Sequence, residues 1–310
     1  MQSEKLLTGI IPALVTPFDY KGQLDLSSVP RLVKTLMDKE VSGFFVCGAT
    51  GEHRNLDLRE RMSMANTVLC ETAGQVPVII HVGGVSTEEA SELAMHAVTL
   101  GADGIGTIPP DNTHADLNAA VDYYSKISTS TPNTPFYVYW RQETAVNATP
   151  EQFLEAMSVI PNFAGLKFTS HDLYYFKRLK TISDGKLNLL TGADEIFLEG
   201  LVSGSDGAIG TTYNFMPEHF IKIYRLFLEN KIADAMPMQN TATNLIAQIL
   251  SIPSSLNTLY SPIHPAKYFT EKVFGIKVGK PRSEKEIMSE ELLKELWANI
   301  AIHAIVDFNN

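Results

Sequence analysis

The sequence predicts an α/β protein: a closed (β/α)8 barrel followed by a helical extension. Three observations predict it. Eight short apolar runs alternate with stretches whose apolar residues recur at helical spacing, and strand–helix–strand repeated in this way builds a parallel sheet. Eight such runs suit a closed eight-stranded barrel better than an open sheet. Two distant segments, Gly101-Ala102-Asp103-Gly104-Ile105-Gly106-Thr107 and Gly204-Ser205-Asp206-Gly207-Ala208-Ile209-Gly210-Thr211, each read as a helix end, a tight turn and a short strand.

In chain order, strands are expected at Gly9-Val15, Gly43-Val46, Val76-Val82, Gly104-Thr107, Phe136-Tyr139, Phe163-Phe168, Leu187-Thr191 and Gly207-Ile209. Unbroken apolar runs mark strands covered on both faces. Helices are expected between them at Leu26-Met37, Leu58-Thr72, Thr87-Leu100, Ala115-Ile127, Pro150-Met157, Leu173-Ile182 and Glu195-Val202. Ser86-Thr87-Glu88-Glu89 has the form of a capped helix start, and Thr149-Pro150-Glu151 places proline at the first helical position. The glycines of the echoed segments precede a strand and lack the dinucleotide spacing, which excludes a Rossmann unit. After about Phe220 the alternation stops. Helices follow at Ile221-Leu228, Ile232-Ile249, Pro265-Phe274 and Glu290-Ile305, and Pro237 predicts that the second starts late or kinks. The expected division is a barrel over residues 1–228 and a helical extension over 229–310, packed on the barrel and carrying no second catalytic centre.

Composition narrows the function. The chain has 310 residues, 45% apolar and 19% charged, and a formal net charge of -10. That acidity argues against nucleic acid, which selects basic faces. Two cysteines, Cys47 and Cys70, form no C-x-x-C pair, so neither a metal framework nor a disulfide scaffold is indicated and a cytoplasmic location is expected. The run Leu6-Val15 is interrupted by Pro12 and lacks a small-x-small cleavage site, so it reads as a first strand and not a signal segment. No apolar run is long enough to span a bilayer, so no membrane partner is expected.

In such a barrel chemistry collects at the C-terminal ends of the strands. Lys167 lies in the apolar run Phe163-Ala164-Gly165-Leu166-Lys167-Phe168-Thr169. Free lysine titrates near ~10.4, so roughly one in a few thousand is neutral at pH 7. Burial penalises the ammonium and lowers that value, which makes the amine a nucleophile toward carbonyls. The alternative is a strand-end lysine whose ammonium snorkels to solvent. The glycine-flanked Ala49-Thr50 turn offers N–H groups and a hydroxyl to a carboxylate. Tyr137 and Tyr139 share a strand face, so both are expected to line the site; a tyrosine beside a buried lysine serves as acid/base, or is simply packed. Asp194 and Glu195 either cap the next helix or accept hydrogen bonds from hydroxyls. His53, His81, His219 and His264 show no metal spacing.

With these residues in place, the sequence resembles the N-acetylneuraminate lyase and dihydrodipicolinate synthase family of pyruvate-dependent class I aldolases over essentially its whole length. The resemblance rests on Ile11-Pro12-Ala13-Leu14-Val15-Thr16-Pro17-Phe18, the turn Gly48-Ala49-Thr50-Gly51-Glu52, the strand Tyr137-Val138-Tyr139 and the strand Gly165-Leu166-Lys167. His81-Val82-Gly83-Gly84-Val85-Ser86-Thr87, Lys167-Phe168-Thr169 with Asp172-Leu173-Tyr174, Gly192-Ala193-Asp194-Glu195-Ile196-Phe197 and Gly207-Ala208-Ile209-Gly210-Thr211-Thr212-Tyr213-Asn214 place it nearest the neuraminate lyase branch. The resemblance implies roles. Lys167 forms the Schiff base and Tyr139 takes the proton from the hydroxyl beside the breaking bond. Thr50 and the Ala49 backbone hold the pyruvyl carboxylate. Thr169, Gly192, Asp194, Glu195, Gly210 and Thr211 contact the polyhydroxylated tail. No metal or organic cofactor is implied, because the imine is the electron sink; the assembly implied is a homotetramer.

The chain departs from the family pattern at three places. Ala49 stands where the family usually has Ser or Thr. The loop Pro109-Pro110-Asp111-Asn112-Thr113-His114 lacks the usual tyrosine. Trp140-Arg141-Gln142-Glu143 replaces an Asn- or His-x-Pro turn. The imine-forming half of the site is therefore expected intact and the proton-relay half rebuilt, with water, Thr50 or Asn112 as substitutes. The activity expected is cleavage of N-acetylneuraminate, or a related 2-keto-3-deoxy sugar acid, to pyruvate and an aldehyde. The alternatives are dihydrodipicolinate synthesis, another sugar-acid aldolase activity, or a sugar-acid-binding protein on the same scaffold.

Overall fold

A computed structural model describes residues 7–110, 116–141, 146–251, 262–283, 285 and 287–299. Eight parallel strands run β1 Gly9–Pro12, β2 Phe44–Val46, β3 Val78–His81, β4 Gly104–Thr107, β5 Phe136–Arg141, β6 Phe163–Thr169, β7 Asn188–Thr191 and β8 Gly207–Gly210. They pair in the order β1-β8-β7-β6-β5-β4-β3-β2. The ring is closed by a parallel bridge from Ala13 to Phe45 and by the Leu14 N–H donating to Phe45 O at 3.0 Å. The fold is thus the (β/α)8 barrel. Helices α1 Val29–Asp38, α2 Leu58–Thr72, α3 Thr87–Thr99, α4 Leu117–Ser130, α5 Pro150–Met157, α6 Leu173–Ile182, α7 Phe197–Val202 and α8 Pro217–Leu228 alternate with the strands. Full capping boxes start three of them: Asp57 with Glu60, Ser86 with Glu89, and Thr149 with Gln152. Removing such a cap costs about 0.5–2 kcal/mol.

Three apolar clusters hold the layers together. One lies between the strands and the helices of the first part of the barrel. A second fills the barrel interior with Leu7, Ile11, Ala13, Phe45, Ile79, Ile108, Tyr137, Tyr139, Leu190 and Ile209. The third joins β1 and β8 residues Ile10 and Ala208 to the extension, α9 Ile232–Leu250, α10 Ile263–Phe274 and α11 Glu290–Asn299. The extension is therefore welded to the barrel by shared core. α9 starts at Ile232 and runs through Pro237, so the expected late start does not occur. The expected start of α4 at Ala115 and end of α11 at Ile305 lie outside the described residues.

The two ends of the barrel are built for different tasks. At the N-terminal end the Asn188 amide plugs the floor. Its Oδ1 accepts from the Leu7 N–H at 3.0 Å and the Tyr137 hydroxyl at 2.9 Å, and its Nδ2 donates to Leu7 O and Asp206 Oδ2. Tyr137 is thus a satisfied core residue at the floor, against the expectation that both tyrosines line the site. Tyr139 stands two residues nearer the C-terminal end. Among the described residues no helix is long and apolar enough to cross a membrane.

Candidate active site at the C-terminal end of the barrel

β5 and β6 set the central pair. Tyr139 is in register with Lys167, and Trp140 with Phe168. Alternation turns the first pair inward and the second outward. Outside, Trp140 packs on Phe168, Tyr175 and Phe153 at centroid separations of 5.9, 4.9 and 5.1 Å. Such aromatic pairs are worth about 0.5–1.5 kcal/mol each beyond their buried area and fix the two strands from behind. Inside, Lys167 is 3% exposed, so it does not snorkel. Its Nζ lies 4.3 Å from the Tyr139 ring centroid and 4.4 Å from that of Phe45. Among the described residues, no hydrogen bond or ion pair of at most 4.0 Å joins it to a carboxylate. Burial lowers its pKa from 10.5 to about 7, against the pull of the Asp194 charge and with a small push from Arg141.

The glycine-flanked turn Gly48-Ala49-Thr50-Gly51-Glu52 follows β2. Thr50 is buried and its hydroxyl shares a hydrogen bond of 2.7 Å with that of Thr211. Ala49 is half-buried. Across the barrel mouth, Asp194 Oδ2 accepts from the Thr212 N–H at 2.9 Å and the Thr212 hydroxyl at 2.7 Å. Asp194 caps no helix: α7 starts without a side-chain cap. Burial raises its pKa from 3.8 to about 6, opposed by the Thr212 hydrogen bonds. Its Oδ1 and the Thr169 hydroxyl are buried without a hydrogen-bond partner, an arrangement that is costly unless a ligand completes it. Glu195 is half-buried and pairs with exposed His171 at 2.6 Å.

The two glycines of the set make room. A Cβ at Gly210 would sit 1.9 Å from Asp194 Oδ1, and one at Gly192 would sit 2.0 Å from Thr169 Oγ1. Any side chain there would displace the two unpartnered oxygens. The structure thus brings all ten expected residues, Ala49, Thr50, Tyr139, Lys167, Thr169, Gly192, Asp194, Glu195, Gly210 and Thr211, to the strand ends or the turns that follow them.

Comparison with known proteins identifies the family. The Dihydrodipicolinate synthetase family model matches residues 6–291. The chain belongs to this family. An N-acetylneuraminate lyase of Citrobacter koseri is 35% identical over 243 residues, covering 78% of this chain and 81% of the relative. The structure of Proteus mirabilis N-acetylneuraminate lyase superposes with a TM-score of 0.87 at 28% identity, covering 95% of this chain and 97% of the other. A catalytic lysine mutant of Ruminococcus gnavus sialic acid aldolase superposes with a TM-score of 0.88 at 29% identity, covering 96% of each chain.

Within this dihydrodipicolinate synthetase family barrel, one cluster escaped the sequence reading. His53, His81 and Arg61 are buried together beside Tyr139. His81 packs edge-on to the Tyr139 ring at 5.7 Å and lies 4.8 Å from the His53 ring. Its Nδ1–H donates to Cys47 O at 2.9 Å, leaving Nε2 as an unpartnered acceptor. Arg61 donates to His81 O and Gly83 O. Burial lowers the pKa of His53 to about 3 and that of His81 well below 6.5, so both rings are neutral. Sequence spacing gives no hint of this cluster; the only signal is an arginine on the inner face of the helix Leu58-Thr72. Asn112, Gln142 and Glu143 lie outside the described residues. So does most of the loop that would carry the family's relay tyrosine.

Proposed function

We propose that this chain is a carbon–carbon lyase that cleaves N-acetylneuraminate, or a closely related 2-keto-3-deoxy sugar acid, to pyruvate and N-acetylmannosamine through an imine on Lys167. One observation carries the proposal: a buried lysine amine set against the Tyr139 and Phe45 rings, without a carboxylate partner among the described residues, whose pKa burial lowers to about 7. At neutral pH about half of such an amine is a free nucleophile.

On this reading the amine attacks the keto carbon and water leaves, giving a protonated imine. Tyr139 gives up its proton as the imine becomes cationic, and as the bond beyond the adjacent carbon breaks its phenolate oxygen receives the hydroxyl proton in return. The electron pair flows into the imine, the aldehyde departs, and an enamine of pyruvate stays on Lys167. Protonation and hydrolysis release pyruvate and regenerate the amine. Thr50 and the Ala49 backbone hold the carboxylate. Thr211, whose hydroxyl meets that of Thr50, belongs to this end of the site as well as to the sugar. Asp194 Oδ1 and the Thr169 hydroxyl, both lacking partners, take the hydroxyls of the tail, with Glu195 further out. The neutral acceptor nitrogen of His81, on a ring packed edge-on to Tyr139, is the acceptor offered to the proton relay in which Ala49 lacks a hydroxyl. The cytoplasmic homotetramer, with residues 1–228 as barrel and 229–310 as extension, completes the proposal.

The test is pyruvate release from N-acetylneuraminate, measured beside 2-keto-3-deoxy acids that lack the acetamido group. Turnover is expected with N-acetylneuraminate and is expected to vanish in Lys167→Ala. Tight binding of these acids with no pyruvate from any of them would instead establish a binding protein on an aldolase scaffold.

A further inference from the structure

We propose that Lys267, buried in the helical extension, is a positioning residue that clamps the carboxylate turn through Glu52. The inference rests on the reading of that turn given above and adds a role that the family motif does not name. The turn is strained at both ends: Cys47 has φ 57° and Glu52 has φ 59°, left-handed values that side-chain-bearing residues keep only where the surroundings over-determine them. Inside the turn the Glu52 N–H donates to Ala49 O at 2.9 Å and the His53 N–H to Gly48 O at 3.2 Å.

What over-determines it comes from the far end of the chain. Lys267 Nζ, on α10, donates to Glu52 Oε1 at 2.6 Å, and both side chains are fully shielded from solvent. Glu52 Oε2 accepts from the Arg282 N–H at 2.8 Å and from Asn55 Nδ2 at 3.3 Å. Lys267 also donates to Lys280 O and lies 4.2 Å from the Phe18 ring centroid; the Arg282 guanidinium lies 4.3 Å from the same centroid. Arg282 in turn grips Glu60 with two nitrogens and reaches Gly22 O and Asn55 O. The extension therefore holds the turn by a carboxylate whose partners are all buried or half-buried. The next residue but one on its N-terminal side is Thr50, whose hydroxyl and neighbouring N–H groups must aim at the substrate carboxylate. Misplacement of such a group by about 1 Å can cost ~10²-fold.

Two variants test this. Lys267→Met leaves the Glu52 carboxylate buried without its partner; Glu52→Gln/Lys267→Met removes both charges while keeping volume. Each is read by the pyruvate concentration that half-saturates borohydride labelling of Lys167, and by amide hydrogen exchange across residues 47–53. The clamp predicts that the double variant needs about 10–100-fold more pyruvate, reaches wild-type labelling at saturation, and exchanges the turn amides faster than β2 and β3. A purely structural pair would lower thermal stability without this split. A double variant with wild-type half-saturation and wild-type turn exchange overturns the proposal, even where Lys267→Met alone fails to fold. A wild-type protein that takes no label at all overturns the reading of the site, and exchange then decides the clamp alone: turn amides unchanged in the double variant sink it.

Discussion

Among the described residues two lysines are buried, one in the barrel and one in the extension, in opposite ways. Lys267, on α10, meets Glu52 of the turn after β2 at 2.6 Å, with both side chains fully shielded. Lys167 sits on β6 among aromatic rings with no carboxylate in bonding distance among the described residues, and burial brings its pKa down to about 7. The first lysine is a tie whose charge is matched. The second is held where charge is unfavourable, and that makes it reactive. The difference teaches that burial alone does not fit a lysine for imine chemistry; on the proposed function, what fits Lys167 is that no described carboxylate pairs with it.

Replacing each lysine by methionine is the sharpest way to break this comparison. Lys167→Met should reduce pyruvate formation to background and also stabilise the fold. In wild type the folded state releases its Lys167 proton near pH 7 while the unfolded chain holds it to about 10.5. Between those values the unfolded state binds more protons, so stability rises with pH there and the penalty is full below pH 7. Removing the amine should therefore gain on the order of 3–5 kcal/mol at neutral pH, read as a higher denaturant midpoint that is lost at alkaline pH. Lys267→Met should do the reverse, costing about 3–5 kcal/mol by stranding the Glu52 charge. Equal destabilisation by both substitutions would show that the two sites do not differ.

Tyr139→Phe probes the reactive region without touching the amine. It should lower turnover by about 10²–10⁴-fold while Lys167 still takes up pyruvate; unchanged turnover would remove Tyr139 as proton acceptor. Asp194→Asn has the smallest expected effect. Loss of a charged hydrogen-bond acceptor is worth about 1.5–3 kcal/mol, so kcat/KM for the sugar acid should fall about 10–100-fold with pyruvate uptake retained. The Asp194 charge holds the Lys167 pKa up. Its removal should therefore move the acid limb of the pH profile to lower pH, and a shift to higher pH would contradict the assignment.

Much of this was legible in the sequence. The strands were, because a sheet covered on both faces is written as unbroken apolar runs, and a lone lysine in one such run stands out. Tyr139 and the turn were legible through the family motifs. Strand ends were less so. β1 was expected to reach Val15 but ends at Pro12, because the chain there changes partners: the Leu14 N–H goes to β2 and the Val15 N–H to the Asn214 side chain at 3.1 Å. The role of Asp194 was left open between cap and acceptor, and only the fold brings Thr212 to it. The Glu52–Lys267 tie was invisible. Its members are 215 residues apart, and each reads as an ordinary surface charge until the extension folds back.

The central claim is that Lys167 is the imine-forming amine, and one measurement meets it directly. Wild-type protein is incubated with pyruvate and borohydride over a range of pH and the reduced adduct is located by peptide mass. The account predicts a single adduct on Lys167 whose initial rate of formation rises through about pH 7. An adduct on another lysine, or an absent adduct in protein that still releases pyruvate, would contradict it.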